Sequence, residues 1–533
     1  MSGLAGAVLA AATVHGDRPA LVVDGRSHTY DELLGAAAGV AEAVLRGDPQ
    51  GAPMVCVHGE RTFWVYAGIL GALLAGRGYV PLNPGFPAER TRTMLERSGA
   101  GVVVVAGPTA AEAGPALAEA ERPLVVVAPE AARRPEWLGG TPHTAICGPD
   151  MARDTAPEAP AGVGPEDIAY LLFTSGTTGT PKGIGIRQRN VGAYLAAAGD
   201  RYGLGPDDRC SQNFALTFDL SVHDMFLTWR AGACLCVPPP RAAMAPAAFV
   251  REQGLTSWFS TPSTAALMLR MRMLAPGAFP TLRWSLFCGE ALTVRVADAW
   301  RAAAPGATLD NLYGPTEATI ACAVHRYEGG ASEDGVVPIG RPFGGTRAAV
   351  VDDGLRPVGC GVPGELLLGG DQLAPGYWRD EARTAAAFVT APALRPYGPW
   401  YRTGDLVEAA GDGELRYRGR MDDQIKIRGH RVELGEVEAA LRRACGAAAV
   451  VALGWPRTPA GADGIIAFLV GADGEADATV LARCRELLPD YMVPDELHRL
   501  ASMPLNASGK ADRRRLVEMR EASSAVAAGG EAR

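Results

Sequence analysis

The chain has ten cysteines but no Cys-x-x-Cys pair, and only Cys234 and Cys236 lie close together. That argues against a structural zinc or a disulfide framework and leaves reduced thiols as the simplest account. No basic stretch accompanies the mildly apolar first fourteen residues, so no signal peptide is expected. No uninterrupted apolar run is long enough to cross a bilayer. An excess of basic residues is also missing. Lys and Arg number 51 against 59 Asp and Glu, and the resulting charge of −8 argues against nucleic acid or an anionic membrane as the main partner. The 66 glycines follow no Gly-X-Y period or short repeat. No Walker pattern is present either, because no Gly-Lys-Ser/Thr follows the Gly-rich loop at the required spacing. These absences predict a cytoplasmic protein with neither membrane nor nucleic-acid partners.

At 533 residues the chain exceeds one ordinary core, so at least two domains are expected. One stretch organises the rest. Ala169 to Phe173 is an apolar run that reads as a buried strand. Seven small or hydroxylated residues follow, Thr174 to Thr180, closed by Pro181, Lys182 and Gly183. Small residues let backbone N–H groups turn inward, hydroxyls add donors, and the lysine adds a point charge. Together they make a cradle for phosphate oxygens. A flexible surface loop is the plain alternative for such a composition.

Upstream, Ala20 to Val23 and Ser27 to Tyr30 predict a hairpin about Asp24-Gly25-Arg26, with a helix starting at Asp31. Strands at Met54 to Val57, Gly78 to Leu82, Val102 to Ala106 and Pro123 to Val127 alternate with helices at Thr62 to Ala75 and Pro87 to Ser98. Such alternation predicts a parallel sheet with covered faces. Near the C-terminus, strands are expected about Ala448 to Leu453 and Gly464 to Leu469. Asp477 is the expected N-cap of a helix over Ala478 to Leu488. Residues 521–533 are small and polar and predict a disordered tail.

The residue order Thr174-Ser-Gly-Thr-Thr-Gly-Thr-Pro-Lys182 resembles the phosphate loop of the adenylate-forming enzymes. That superfamily comprises acyl-CoA ligases, luciferases and the amino-acid-activating domains of nonribosomal peptide synthesis. Further stretches match it in the family's order. Ala75 to Asn83 comes first, with Asn83 where aspartate is usual. Phe218-Asp-Leu-Ser221, Gly289-Glu-Ala291 and Asn311-Leu-Tyr-Gly-Pro-Thr-Glu317 follow. Gly364 through Tyr377, Tyr401-Arg-Thr-Gly-Asp405 and Gly419 through Glu436 come next. Asn506-Ala-Ser-Gly-Lys510 closes the series, with Ser508 where asparagine is usual.

In this family a carboxylate attacks the α-phosphate of ATP, giving an acyl-adenylate and pyrophosphate, so catalysis is positioning and electrostatics. The resemblance therefore implies ATP and Mg2+. It assigns ATP binding to Thr174, Ser175, Gly176, Thr177, Thr178 and Lys182, to Gly289, Glu290 and Ala291, and to Asn311, Gly314 and Thr316. Tyr313 and Tyr417 would flank the adenine, Asp405 would accept both ribose hydroxyls, and Arg420 would reach ribose or phosphate oxygens. Glu317 would hold Mg2+, directly or through water. Thr174, Glu317 and Lys510 are the expected catalytic residues, with Lys510 bridging the substrate carboxylate and the α-phosphate. Plain alternatives stand beside these roles. Glu317 could be a surface acid, the tyrosines core, Asp405 a turn residue and Asp219 a helix N-cap.

Asp219 decides what is activated. A buried α-ammonium must be paired, whereas fatty-acyl and aryl substrates offer no ammonium to pair. The rest of the expected lining is Leu220, His223, Phe259, Leu286, Cys288, Leu312, Ile320 and Ala321, with Lys510 on the carboxylate. None of the lining beyond Asp219 carries a fixed charge, and His223 and Phe259 shorten the cavity. A small neutral amino acid follows, alanine first, with glycine, serine, cysteine and proline as near alternatives.

About twenty residues follow the stretch that resembles the family, without a phosphopantetheine site. A carrier protein supplied in trans is therefore the expected partner, with room for an MbtH-like helper protein, in a natural-product pathway. An acyl- or aryl-CoA ligase using free coenzyme A is the alternative enzyme. A degenerate scaffold is the non-enzyme alternative, against which Glu317, Asp405 and Lys510 all stand. Family members rotate the small domain about the residue after Gly-Arg-x, here Asp422. The expected fold is thus α/β: a large N-terminal domain of parallel and mixed sheets covered by helices (1–421), hinged at Asp422 to a small α+β domain (422–520).

Overall fold

Valine-rich runs build the first sheet. Strands Met54–His58, Gly78–Leu82 and Val102–Val105 are buried at every position, as strands must be when helices cover both faces. The computed structural model describes residues 3–49, 51–151, 162–176, 180–243, 245–330, 335–458, 461–472, 475–506 and 511–530. The chain divides into two compact units, the first made of 1–84, 91–174 and 182–422, the second of 85–90, 175–181 and 423–533.

In the first unit, seven strands lie in the order Thr144–Cys147, Val125–Ala128, Val102–Val105, Met54–His58, Gly78–Leu82, Ile168–Thr174 and Lys182–Arg187. All neighbours are parallel except the last pair, which is an antiparallel hairpin. Helix Phe63–Leu74 is buried nearly all round, the mark of a helix enclosed in a core. Helix Tyr30–Gly47 begins with a capping box in which the Thr29 hydroxyl accepts from the Glu32 N–H and the Glu32 carboxylate accepts from the Thr29 N–H. The cap is therefore Thr29, two residues before the expected start.

A second sheet of nine strands includes the parallel set Arg209–Ser211, Ser257–Ser260, Trp284–Phe287 and Thr308–Tyr313. Its register places Phe259 opposite Leu286 and Leu286 opposite Asp310. A third, antiparallel sheet holds Thr346–Val351, Gly364–Gly370, Trp400–Ala409 and Leu415–Arg420. Among the described residues no helix is long and apolar enough to cross a membrane.

In the second unit, Gly461–Val470 pairs antiparallel with Ala449–Thr458 and parallel with Glu496–Arg499. Helix Leu434–Cys445 buries Leu434, Val437 and Leu441 against this sheet's core cluster.

Several elements differ from expectation. Helix Leu4–His15 carries no capping side chain and was not legible as a helix; it buries Leu4, Ala5, Val8 and Ala11. Strand Thr144–Cys147 extends the first sheet within a segment rich in alanine and proline. Asp477 is the first residue of its helix and Ala476 the cap, and the Asp477 carboxylate is ion-paired to Arg499 at 2.8 Å. The expected disordered tail continues the helix Arg513–Gly530 instead, consistent with its alanine content; residues 531–533 lie outside the described residues.

Candidate active site

Thr174 and Lys182 face each other across the antiparallel hairpin. Thr174 Oγ1 is buried with no hydrogen-bond partner. Lys182 Nζ lies 3.5 Å from Glu317 Oε1 and 5.1 Å from the centre of the Tyr377 ring. The same Glu317 oxygen accepts the Tyr377 hydroxyl at 2.9 Å. Glu317 is completely buried, which rules out the plain reading of a surface acid. Thr177, Thr178 and Lys510 lie outside the described residues. Within the second unit, the Ser175 hydroxyl donates to the Arg431 carbonyl at 2.7 Å. The Gly176 N–H donates to the Glu436 carboxylate at 3.2 Å, and Glu436 also pairs with Arg90 at 2.6 Å.

Asp219 opens a continuous helical run, Leu220–Val222 in α geometry, His223–Leu227 as a π-turn and Thr228–Arg230 in α geometry again. Its side chain does not act as a helix cap. The carboxyl is buried, the Thr316 side chain and the N–H groups of Ile320 and Leu220 beside it favour its charged form, and Oδ2 has no hydrogen-bond partner. Burial pushes this carboxyl up to about 6. An unpartnered oxygen on a buried carboxyl is costly unless a ligand completes it.

The Ile320 N–H is aimed by an unusual turn. Thr319 and Ile320 both have positive φ, +57° and +69°, a region that β-branched residues avoid. Gln372 holds this turn in place. Its side-chain amide donates to the carbonyls of Ala321 at 2.7 Å, Thr319 at 3.3 Å and Ala318 at 3.4 Å, and the Thr319 hydroxyl donates to the Gln372 carbonyl. Gly314 packs here too: a Cβ on it would meet the Ala321 Cα at 2.6 Å. The sequence reading missed Gln372; its one signal is an amide inside the Gly370 to Gly376 stretch.

Leu220, His223, Phe259, Leu286, Cys288, Leu312, Ile320 and Ala321 are all buried. All but His223 belong to one apolar cluster.

Asp405 is engaged on both oxygens. The Tyr313 hydroxyl donates to Oδ2 and Arg420 to Oδ1 at 2.7 Å. Arg420 also grips both oxygens of Asp422 at 2.6 Å. Tyr417 packs in the same cluster as Tyr313. Asn311 donates to the Pro338 carbonyl at 2.9 Å, while its Oδ1 is buried without a partner. The Glu290 carboxylate accepts from the Ser263 N–H at 2.8 Å, at the start of helix Pro262–Arg270. Gly289 has φ +98°, a conformation only glycine adopts freely.

Thr174 Oγ1, Asp219 Oδ2 and Asn311 Oδ1 are thus unpartnered at three of the expected ligand positions, and the residues present fit ATP and an amino acid. Among the described residues no group of three or more His, Cys, Asp or Glu could hold a metal. Mg2+ keeps its waters and binds through one or two carboxylates plus substrate phosphates. Glu317 is the carboxylate that fits this part.

A buried lysine paired with a buried carboxylate, beside a threonine hydroxyl without a partner, suits the binding of phosphate oxygens. The comparisons agree. Residues 8–378 match the family model described as "AMP-binding enzyme", and 436–510 match "AMP-binding enzyme C-terminal domain". An L-proline--[L-prolyl-carrier protein] ligase of Streptomyces coelicolor is 36% identical over 94% of both chains. Phosphinothricin tripeptide synthetase PhsC of Streptomyces viridochromogenes is 34% identical over 94% of this chain, which spans only 44% of PhsC. The adenylation domain AlmE of Vibrio cholerae, solved with glycyl-adenosine-5'-phosphate, superposes with a TM-score of 0.88 at 30% identity, over 98% of both chains. The chain belongs to the AMP-binding, adenylate-forming enzyme family, in its amino-acid-activating branch.

Proposed function

We propose that the protein uses ATP to activate a small neutral amino acid as its aminoacyl-AMP and then passes it to the phosphopantetheine thiol of a carrier protein. The observation that carries this reading is Asp219, a buried carboxyl with one unpartnered oxygen among apolar walls. A substrate ammonium completes that oxygen; a fatty or aromatic acid cannot. Lysine, arginine, aspartate and glutamate side chains would bring a second charge with nothing to pair it. The prolyl ligase and the glycyl adenylate of AlmE involve two small amino acids, which supports the size argument.

ATP with Mg2+ supplies the activated α-phosphate. The remaining contributions belong to this chain. Thr174 and Lys182 would orient the phosphates from the hairpin, Glu317 would hold the metal, and Asp219 would fix the substrate's amine. Lys510 neutralises the charge that gathers between carboxylate and α-phosphate. Asp405 and Arg420 orient the ribose, Arg420 turning a donor from Asp405 toward it.

A pyrophosphate-exchange panel over the common amino acids tests the first step, and thioester formation with carrier protein against free coenzyme A tests the second. Exchange with alanine or its small neighbours and loading of the carrier are expected. Exchange only with a charged or large aromatic amino acid would overturn the pocket assignment. Preference for coenzyme A would make the protein an acyl-CoA ligase.

A further inference from the structure

His223 occupies the π-turn four residues after Asp219, with 4% of its surface exposed. Its Nδ1 lies 2.6 Å from the Tyr194 hydroxyl. The imidazole meets the Phe259 ring edge-on at 4.6 Å between centroids, and Tyr202 at 6.0 Å. The ring is therefore held on three sides, by one hydrogen bond and two aromatic contacts.

The protonation of this pair follows from what each partner needs. Burial pushes the His223 imidazole down to about 3, so it is neutral near pH 7 and carries one N–H. Tyr194, on helix Gln188–Tyr202, is wholly buried, and Nδ1 of His223 is the acceptor beside its hydroxyl. Were the proton on Nδ1, the phenol O–H would be left without an acceptor in an apolar site. Tyr194 therefore donates, Nδ1 accepts, and the imidazole hydrogen sits on Nε2.

We propose that Tyr194 is a specificity-determining positioning residue, holding His223 as a rigid, Nε2-protonated end wall of the side-chain pocket and so restricting the enzyme to small side chains. The inference rests on the reading of Asp219 as the amine anchor, with His223 one helical turn further along the same run. A histidine without this hydrogen bond keeps only its aromatic contacts, and one rotamer change opens room for extra methylenes. Nothing in the sequence marks Tyr194, because it lies on another helix, 29 residues from His223.

The test is Tyr194→Phe in the full chain, which removes the hydroxyl and little volume. Pyrophosphate exchange is measured for glycine, alanine, serine, valine and leucine. The preference for alanine over leucine in kcat/KM is expected to fall by about tenfold or more, the scale of methylene discrimination in apolar pockets, through a lower KM for leucine. Nitrogen-15 spectra of histidine-labelled protein should show the Nε2–H tautomer in the wild type and a loss of the hydrogen-bonded Nδ1 signal in the variant. His223→Ala supplies an independent check. It should relax selectivity the same way, and adding Tyr194→Phe to it should change nothing more. Unchanged selectivity in Tyr194→Phe, an Nδ1–H tautomer in the wild type, or a Tyr194→Phe effect that persists without His223 would each overturn the proposal. A wild type that exchanges no amino acid would sink the underlying reading, whatever the variants do.

Discussion

Lys182 and Glu317 meet at 3.5 Å between Nζ and Oε1, in the interior, from a hairpin and a turn 135 residues apart in sequence. Two opposite charges are held near each other at the expected phosphate site, with Tyr377 as a neutral donor to the acid. Glu317→Gln keeps the volume and the hydrogen-bonding capacity but removes the charge that would hold Mg2+. Pyrophosphate exchange is expected to fall by about 10²–10³, the usual cost of one preorganised electrostatic group, and the Mg2+ needed for half-maximal rate should rise. A variant with wild-type magnesium dependence would show that the metal is held elsewhere.

Asp219 gives a prediction with two opposite signs. Its carboxyl is pushed up to about 6 by burial, above about 3.9 for an unfolded aspartate. The fold thus favours the neutral form. The stability this group contributes is full below about pH 4 and is lost as pH rises through about 6, at about 1.4 kcal/mol per pH unit. Asp219→Asn should therefore raise the Tm of the ligand-free protein at pH 8 and leave it nearly unchanged at pH 4. Binding needs the ionised form, so the wild-type KM for the amino acid should climb as pH falls below about 6, and Asp219→Asn should lose exchange. Wild-type turnover in that variant would end the pairing argument.

Much of this site was legible because its chemistry forces particular residues into fixed local order. Thr174 through Lys182 needs small residues, hydroxyls and one compact cation in a single turn, and no fold can hide that pattern. The chain has only three lysines, Lys182, Lys426 and Lys510, and arginine serves as the cation elsewhere. Two of the three stand in the nucleotide motifs. The strands were legible for a related reason: a strand covered on both faces must be apolar throughout, as Val102–Val105 is. What stayed hidden depends on partners distant in sequence. Gln372 acts through backbone carbonyls about fifty residues upstream. The Leu4–His15 helix has no cap and little amphipathic pattern, so its partners alone define it.

Gln372 therefore gives a prediction that sequence patterning could not. Replacing it with leucine keeps the bulk and leaves the carbonyls of Ala318, Thr319 and Ala321 without their shared donor. Buried acceptors that lose a partner cost about 1–3 kcal/mol each, and the two left-handed residues lose their clamp. A clear drop in Tm is expected, together with a higher KM for the amino acid, because Ile320 would no longer aim its N–H at Asp219. A variant that lost stability but kept the wild-type KM would mean that the turn does not set the carboxylate.

The last prediction separates the two half-reactions. The guanidinium of Arg420 grips both oxygens of Asp422 at 2.6 Å, and the same Arg420 reaches Asp405. One arginine thus ties the expected ribose acceptor to the expected pivot. If the small domain must turn about Asp422 between adenylation and thiol transfer, then fixing φ there should stop the second step and spare the first. Asp422→Pro is expected to keep pyrophosphate exchange and to lose carrier-protein loading. Lys510→Ala should do the reverse of the first part, losing exchange by about 10²–10³ while the fold is kept. The discriminating measurement is transfer to the carrier from chemically synthesised aminoacyl-AMP, which bypasses adenylation. Lys510→Ala should load the carrier from it, and Asp422→Pro should not. Equal loss of both steps in Asp422→Pro, with an unchanged Tm, would place the pivot at another residue.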